Sequence, residues 1–179
     1  MNAAPQPQPV FSIRAATVAD NRLLCELGIE TFRDSFGADN TAENMAAYLT
    51  ASFSPEKQAA ELADPATRFL IVETDGAPAG YARLRFGQSP AGLSAARPVE
   101  IVRFYSRKAW IGKGAGPFLM RACLDAAQAA SCDLVWLDVW EHNPRAIAFY
   151  AKWGFRTAGE QVFVLGAEIQ RDLIMTLSL

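Results

Sequence analysis

The sequence predicts an α/β (α+β) domain built on one mixed sheet, and three observations carry that expectation. Between Thr17 and Pro65, apolar residues recur at helical spacing in three successive segments, each opened by a capping residue. From Arg68 onward the texture changes to short β-rich runs separated by glycine turns. Two further helical segments interrupt those runs, one of them entered through a glycine-rich turn. The resulting order, β-ααα-ββ-β-α-β-α-ββ, mixes hairpins with crossover connections and calls for a sheet of mixed direction.

Each element has a local reason. Val10 to Arg14 alternates and reads as a strand. Thr17 with Asp20 three residues later resembles a capping box, and opens a helix to about Phe36 with Leu24, Leu27, Phe32 and Phe36 at helical spacing. Thr41 caps a second helix that carries Met45, Tyr48 and Leu49 on one face. Ser54-Pro55 starts a third, which ends before Asp64-Pro65, since proline suits the first helical position and not the interior. Residues 68–74 (RFLIVET) and 79–86 form a hairpin about Asp75-Gly76. The Gly/Ser/Ala/Pro stretch 87–98 is a loop. A strand over 99–105 then feeds the glycine-rich turn and a helix over 117–130. Leu134 to Val139 is a strand, Asn143 to Lys152 a helix, and Gly154 its stop. Strands at about 156–164 and 168–177 flank a turn at Gly166.

Composition narrows the classes of function. A chain of 179 residues suffices for one well-buried core, and it shows neither an internal repeat nor a second boundary, so 10–179 is expected to be one domain. Residues 1–9 are Pro/Gln/Ala-rich, with no basic n-region or apolar h-region, and are expected to be a disordered tail rather than a secretory signal. The net charge of -2 gives no basic face for a nucleic-acid backbone. No apolar run approaches the ~20 residues that span a bilayer, so no membrane partner is expected. Cys25, Cys123 and Cys132 lack metal-ligand spacing; free thiols in a reducing cytoplasm are the expectation, with no metal.

Arg107 to Pro117, RKAWIGKGAGP, is the most informative segment. A strand that runs through such a turn into a helix N-terminus presents backbone N–H groups to an anion. Gly112, Gly114 and Gly116 permit close approach, and Pro117 sits in the first helical turn without an N–H to offer. A Walker loop would follow its last glycine with Lys-Ser or Lys-Thr, and a dinucleotide fingerprint would read G-x-G-x-x-G; neither fits. A glycine-rich turn without any ligand is the remaining alternative at this point.

Residues 137–155, LDVWEHNPRAIAFYAKWGF, add a second segment, and with it the chain resembles the GNAT superfamily of acyl-CoA transferases. That family's pyrophosphate loop reads Arg/Gln-x-x-Gly-x-Gly/Ala, which Gly114 and Gly116 match. Its later segment reads Asn-x-x-Ala-x-x-Phe-Tyr-x-x-x-Gly-Phe, matched by Asn143, Ala146, Phe149, Tyr150, Gly154 and Phe155. Within the superfamily, TFRDSF (31–36), Asn40-Thr41, Phe69 to Val72, Glu100 with Arg103 and QRDLIM (170–175) are similar to bacterial spermidine/spermine acetyltransferases of the PaiA type. Ile111 departs from the pattern, standing where the loop usually has Arg or Gln. Arg107, Lys108 and Lys113 are the nearby cations to take its place.

The resemblance implies a sheet of about seven strands, splayed to bind acetyl-CoA, and direct attack by an amine with no acyl-enzyme. It implies that residues 111–117 (Ile111, Gly112, Lys113, Gly114, Ala115, Gly116, Pro117) hold the pyrophosphate, and that the backbone of Phe104, Tyr105 and Ser106 pairs with pantetheine. Asn143 would touch CoA or cap its helix, and Tyr150 would protonate the leaving thiolate as general acid. An amine with a pKa of about 10.4 must lose a proton before attack. Glu100 is the candidate base, directly or through water, ahead of His142; an edge-of-strand surface carboxylate is the alternative reading of Glu100. Glu26, Glu30 and Asp34 recur every four residues on the first helix, which in this fold walls the acceptor site; such an acidic face suits a polyamine, and a solvated face partly neutralised by Arg22 and Arg33 is the alternative. The expected activity is therefore acetyl transfer to a primary amine, polyamine first. The alternatives are the same chemistry on an amino acid, a protein N-terminus or a xenobiotic amine, and an acyl-CoA-binding regulatory module without turnover. Relatives commonly dimerise, which makes a homodimer an expected assembly.

Overall fold

The structure, a computed structural model, describes residues 9–90 and 92–179. The expected tail therefore lies, except for Pro9, outside the described residues. The chain runs β1 (Phe11–Ala15), α1 (Asn21–Phe36), α2 (Ala42–Phe53), α3 (Pro55–Ala63), β2 (Thr67–Thr74), β3 (Ala77–Phe86), β4 (Pro98–Ser106), α4 (Ala115–Ala129), β5 (Leu134–Trp140), α5 (Pro144–Lys152), β6 (Arg156–Leu165) and β7 (Glu168–Ser178). The seven strands form one sheet in the order β1-β2-β3-β4-β5-β7-β6. Only β4 and β5 pair in parallel; every other neighbour is antiparallel.

The caps read from the sequence act as such. The Thr41 hydroxyl accepts from the Asn44 N–H at 3.2 Å, and the Ser54 hydroxyl accepts from Lys57 at the same distance. The Thr17 N–H donates to the Asp20 carboxylate at 2.8 Å, but a 3₁₀ turn over Val18–Asp20 intervenes and α1 begins only at Asn21. The helix after the glycine-rich turn begins at Ala115 rather than Pro117, so the proline occupies its third position.

Sheet alternation divides the strands into two faces. The rear face, with Val72, Ala82, Leu84, Val99, Ile101, Val135, Leu137, Val139 and Met175, packs on Leu119, Met120 and Cys123 of α4 and on Tyr150 of α5 in the main core. The front face carries α1, α2 and α3 through two smaller clusters, one about Leu24, Leu27, Ile71 and Tyr81, the other about Phe32, Leu49, Phe53 and Leu165. Also at the front, Glu61 of α3 accepts from Arg83 at 2.8 Å and from Arg103 at 2.6 Å, and Arg103 also donates to the Ser52 carbonyl at 3.0 Å. Two guanidiniums and one carboxylate are thus buried together, and the cluster ties α3 to β3 and β4.

One irregularity positions the site. In the β3–β4 ladder, Arg83 opposes Arg103 and Leu84 opposes Ile101, so Val102 is an extra residue in β4. A bulge of this kind bends its strand. Correspondingly, the parallel β4–β5 ladder holds only from Pro98↔Leu134 to Glu100↔Trp136 and stops there.

Candidate active site

Beyond Glu100 and Trp136 the parted strands open a cleft of about 860 Å³. On its β4 side lie the bulged Val102 and then Arg103 to Ser106, whose pairing groups on the β3 side are used by Gly80, Tyr81, Ala82 and Arg83, while the edge toward β5 has no strand on it. Gly112, Gly114, Gly116, Pro117 and the half-exposed Ile111 continue this wall. Gly112 and Gly114 adopt φ +77° and +103°, the left-handed region that a side chain would disfavour. Gly114 is the N-cap of α4 and supplies no capping side chain, so the first N–H groups of the helix are left for a ligand.

From the other side come Asp138, Val139 and Trp140 of β5, then Asn143, Arg145, Ala146, Phe149, Tyr150 and Lys152. Asn143 caps α5, its Oδ1 accepting from the Ala146 N–H at 3.1 Å, and lines the cleft as well. Tyr150 is buried beneath the cleft, its ring 6.1 Å from that of Phe104, and burial pushes its phenol well above the usual range. It therefore keeps its proton at neutral pH, the state a general acid needs. Among the described residues that line the cleft there is no cysteine, and burial drives the Cys123 thiol upward, away from reactivity.

The front of the cleft is walled by aromatic rings. Phe32 stacks on Tyr48 at 4.4 Å, Tyr48 meets Phe163 at 5.5 Å, and Phe36 meets Trp140 at 6.2 Å. Within this wall stand three carboxylates: Glu100 of β4, Asp138 of β5 and Asp172 of β7. Trp140 opposes Asp172 and Ile174 opposes Asp138, which makes the two aspartates diagonal neighbours on the front face. Glu100 is held by Arg85, whose Nε donates to Oε2 at 2.8 Å; burial nevertheless leaves its carboxyl above the usual range. Asp138 receives Gln161 on Oδ2, and its Oδ1 has no partner. Burial, with Glu100 and Asp172 as like-charged neighbours, pushes it to about 7. Asp172 is 8% exposed, also has an unpartnered Oδ1, and is pushed to about 6 by burial and by Glu141. Among the described residues no group of three or more His, Cys, Asp and Glu is arranged to hold a metal ion.

Several sequence expectations meet a correction here. The acidic face of α1 does not line the cleft: Glu26 pairs with Arg22, Glu30 pairs with Arg107, and Asp34 is exposed, whereas Phe32, Ser35 and Phe36 face inward. Arg107 also donates to the Pro78 carbonyl at 3.0 Å and is not free to replace a loop cation. The side chains of Lys108, Lys113 and Ala115 do not line the cleft; Lys113 lies 5.6 Å over the Trp110 ring. His142 is solvent-exposed beside Glu141, outside the cleft. In their place the cleft presents Arg145, Lys152, Asp138 and Asp172, which sequence reasoning missed. A lone aspartate inside the apolar strand LVWLDVW was the available signal for Asp138, whereas Asp172 follows Gln170 and Arg171 at the polar end of its strand.

A model of the acetyltransferase (GNAT) family matches residues 29–155. An uncharacterized N-acetyltransferase from the pepI 3' region of Lactobacillus delbrueckii subsp. lactis is 36% identical over 146 residues, 82% of this chain and 84% of that protein. A probable spermine N(1)-acetyltransferase of Bacillus subtilis subsp. natto is 34% identical over 66 residues, 36% of this chain and 43% of that protein. Among solved structures, the PaiA N-acetyltransferase of Thermoplasma acidophilum in complex with coenzyme A superposes with a TM-score of 0.77 at 20% identity, over 95% of this chain and 99% of that one. The seven-stranded sheet and its flanking helices are thus the fold of that group.

Proposed function

The chain belongs to the acetyltransferase (GNAT) family and is an acyltransferase that uses acetyl-CoA, and we propose that it acetylates a primary amine of a polyamine. The observation that carries this reading is the acceptor end of the cleft, where Glu100, Asp138 and Asp172 stand among Phe32, Phe36, Tyr48, Trp140 and Phe163. Carboxylates in an aromatic-walled slot favour a chain that is apolar along its methylenes and cationic at intervals. The name borne by the spermine acetyltransferase relative points the same way.

The parts take the following roles in this reading. Acetyl-CoA lays its pantetheine along the free edge of β4 at Phe104 to Ser106, and its pyrophosphate on the uncapped start of α4 between Gly112 and Pro117. Arg145 and Lys152 supply the counter-charge that Ile111 withholds, and Asn143 orients the cofactor from the start of α5. A backbone N–H of β4 polarises the thioester carbonyl. The amine attacks directly, and Tyr150 protonates the departing thiolate.

Thiol release from acetyl-CoA tests the reading, run against spermidine, spermine, single amino acids and a short peptide. Turnover confined to polyamines is the expected result. Turnover only with an amino acid or peptide would move the acceptor, and CoA binding without release for any amine would favour a regulatory module.

A further inference from the structure

Buried carboxylate oxygens in folded proteins nearly always have a partner, so those without one point to a missing donor. Five side chains hold a buried polar atom without a partner among the described residues: Thr74, Tyr81, Arg83, Asp138 and Asp172, of which only the two aspartates offer a carboxylate oxygen. Only the last two line the cleft. Each offers an Oδ1, and the two residues are diagonal neighbours across β5 and β7. Asp172 is 8% exposed.

Asp138 has a second distinction. It is the first front-facing residue of β5 beyond the last β4–β5 pair, at the point where the strands part. Glu100 faces the same space, but a proton arriving there competes with the guanidinium of Arg85. No ion pair engages Asp138 or Asp172 among the described residues.

We propose that Asp138 is the proton acceptor for the incoming ammonium and that Asp172 binds that ammonium in place. This rests on the amine-acceptor reading above. The ammonium donates to both free Oδ1 atoms and loses one proton to Asp138, which later passes it to water. The freed lone pair forms the N–C bond to the acetyl carbon, and the C–S bond breaks. The thiolate takes the Tyr150 proton, and the second proton of the acylated nitrogen restores the phenol. Charged and titratable neighbours of the pair are Glu100 and Arg85 from β4 and β3, Glu141 after β5, Tyr48 from α2 and Arg103 in the cleft wall. Of these only carboxylates titrate below neutrality, and Glu100 is distinguishable by its own variant.

The test compares the intact protein with D138N, D172N and E100Q, on whichever amine of the panel turns over fastest. Calorimetry of spermidine binding to the CoA-saturated protein runs alongside. Expected for D138N is a kcat lower by about 100-fold or more with KM within about threefold, and loss of the acid limb of the pH profile. D172N should raise KM for a cationic acceptor about 10-fold or more, weaken spermidine binding equally, and change kcat less. E100Q should keep the acid limb. The proposal is overturned if D138N keeps both turnover and acid limb, or if D172N leaves KM and spermidine binding unchanged. Turnover of another amine alone removes the polyamine reading while the same variants still decide the roles. If no amine turns over, unchanged spermidine affinity in both aspartate variants overturns the proposal as well. Thermal midpoints, expected not to fall in these near-isosteric variants, and CoA affinity, expected to hold, separate misfolding from lost chemistry.

Discussion

Two groups of buried charge lie on the front of the same sheet, and they are built in opposite ways. Around Glu61, both carboxylate oxygens are taken by Arg83 and Arg103, and Arg103 spends a further N–H on the Ser52 carbonyl. Around Asp138 and Asp172, Arg85 is taken by Glu100, no ion pair reaches either aspartate among the described residues, and two oxygens are left open. Burying a charge is tolerable when partners replace its water. The first group meets that condition from within the chain, save for the Nε of Arg83. The second meets it only when something from outside arrives, and it sits in the cleft. The contrast teaches that polar burial alone does not mark a site; incomplete satisfaction inside an accessible cavity does.

The sharpest way to break the comparison is to unsatisfy the first group. Glu61→Ala should leave two buried guanidiniums facing each other and lower stability by about 3–5 kcal/mol in urea unfolding. A loss below about 1 kcal/mol would mean that solvent already reaches the cluster. Next comes Tyr150→Phe, expected to lower thiol release at least about 10-fold with CoA affinity nearly intact. Unchanged turnover would remove the phenol from the reaction.

A smaller effect of opposite sign is expected at Asp172. Its folded carboxyl titrates near 6, above the usual value of 3.8. A carboxyl raised by folding weakens the fold once it ionises, so the native protein loses stability as pH rises between those values. Asp172→Asn should therefore stabilise the ligand-free protein by about 2 kcal/mol at pH 8 and by almost nothing near pH 4. Equal gains at both pH values would show that the carboxylate is not the cause. The smallest effect belongs to Tyr81→Phe. This hydroxyl is also buried and unpartnered, but it lies outside the cleft. Stability should change by less than about 1 kcal/mol and turnover not at all; a kinetic defect would blur the distinction drawn above.

Much of the architecture was legible because it rests on local signals. Thr41 and Ser54 cap where caps were read, Asp75-Gly76 turns the β2–β3 hairpin, and Gly166 closes the last one. The glycine-rich turn and the Asn143–Phe155 segment were legible for the same reason. The carboxylate-lined end of the cleft was not. Periodicity told which residues of α1 share a face, but not which way that face points: Glu26, Glu30 and Asp34 turned outward because Leu24, Leu27, Thr31 and Phe32 were needed beneath. Arg103 was grouped with Glu100 in sequence, yet it answers to Glu61, forty-two residues away, and Glu100 to Arg85. Asp138 and Asp172 become neighbours only through a ladder between β5 and β7, a long-range pairing that no window of sequence contains.

Val102 deserves a last thought in terms of arithmetic. Ile101 and Arg103 already face opposite sides of β4 and already oppose consecutive residues of β3, Leu84 and Arg83. Deleting Val102 would leave every other β3–β4 partnership and both hydrophobic layers in step. What would vanish is the bend, and β4 could then zip onto β5 past Glu100. The fold would survive as a sealed sheet with no room for a thioester. One residue, surplus to the architecture, separates a catalyst from a scaffold.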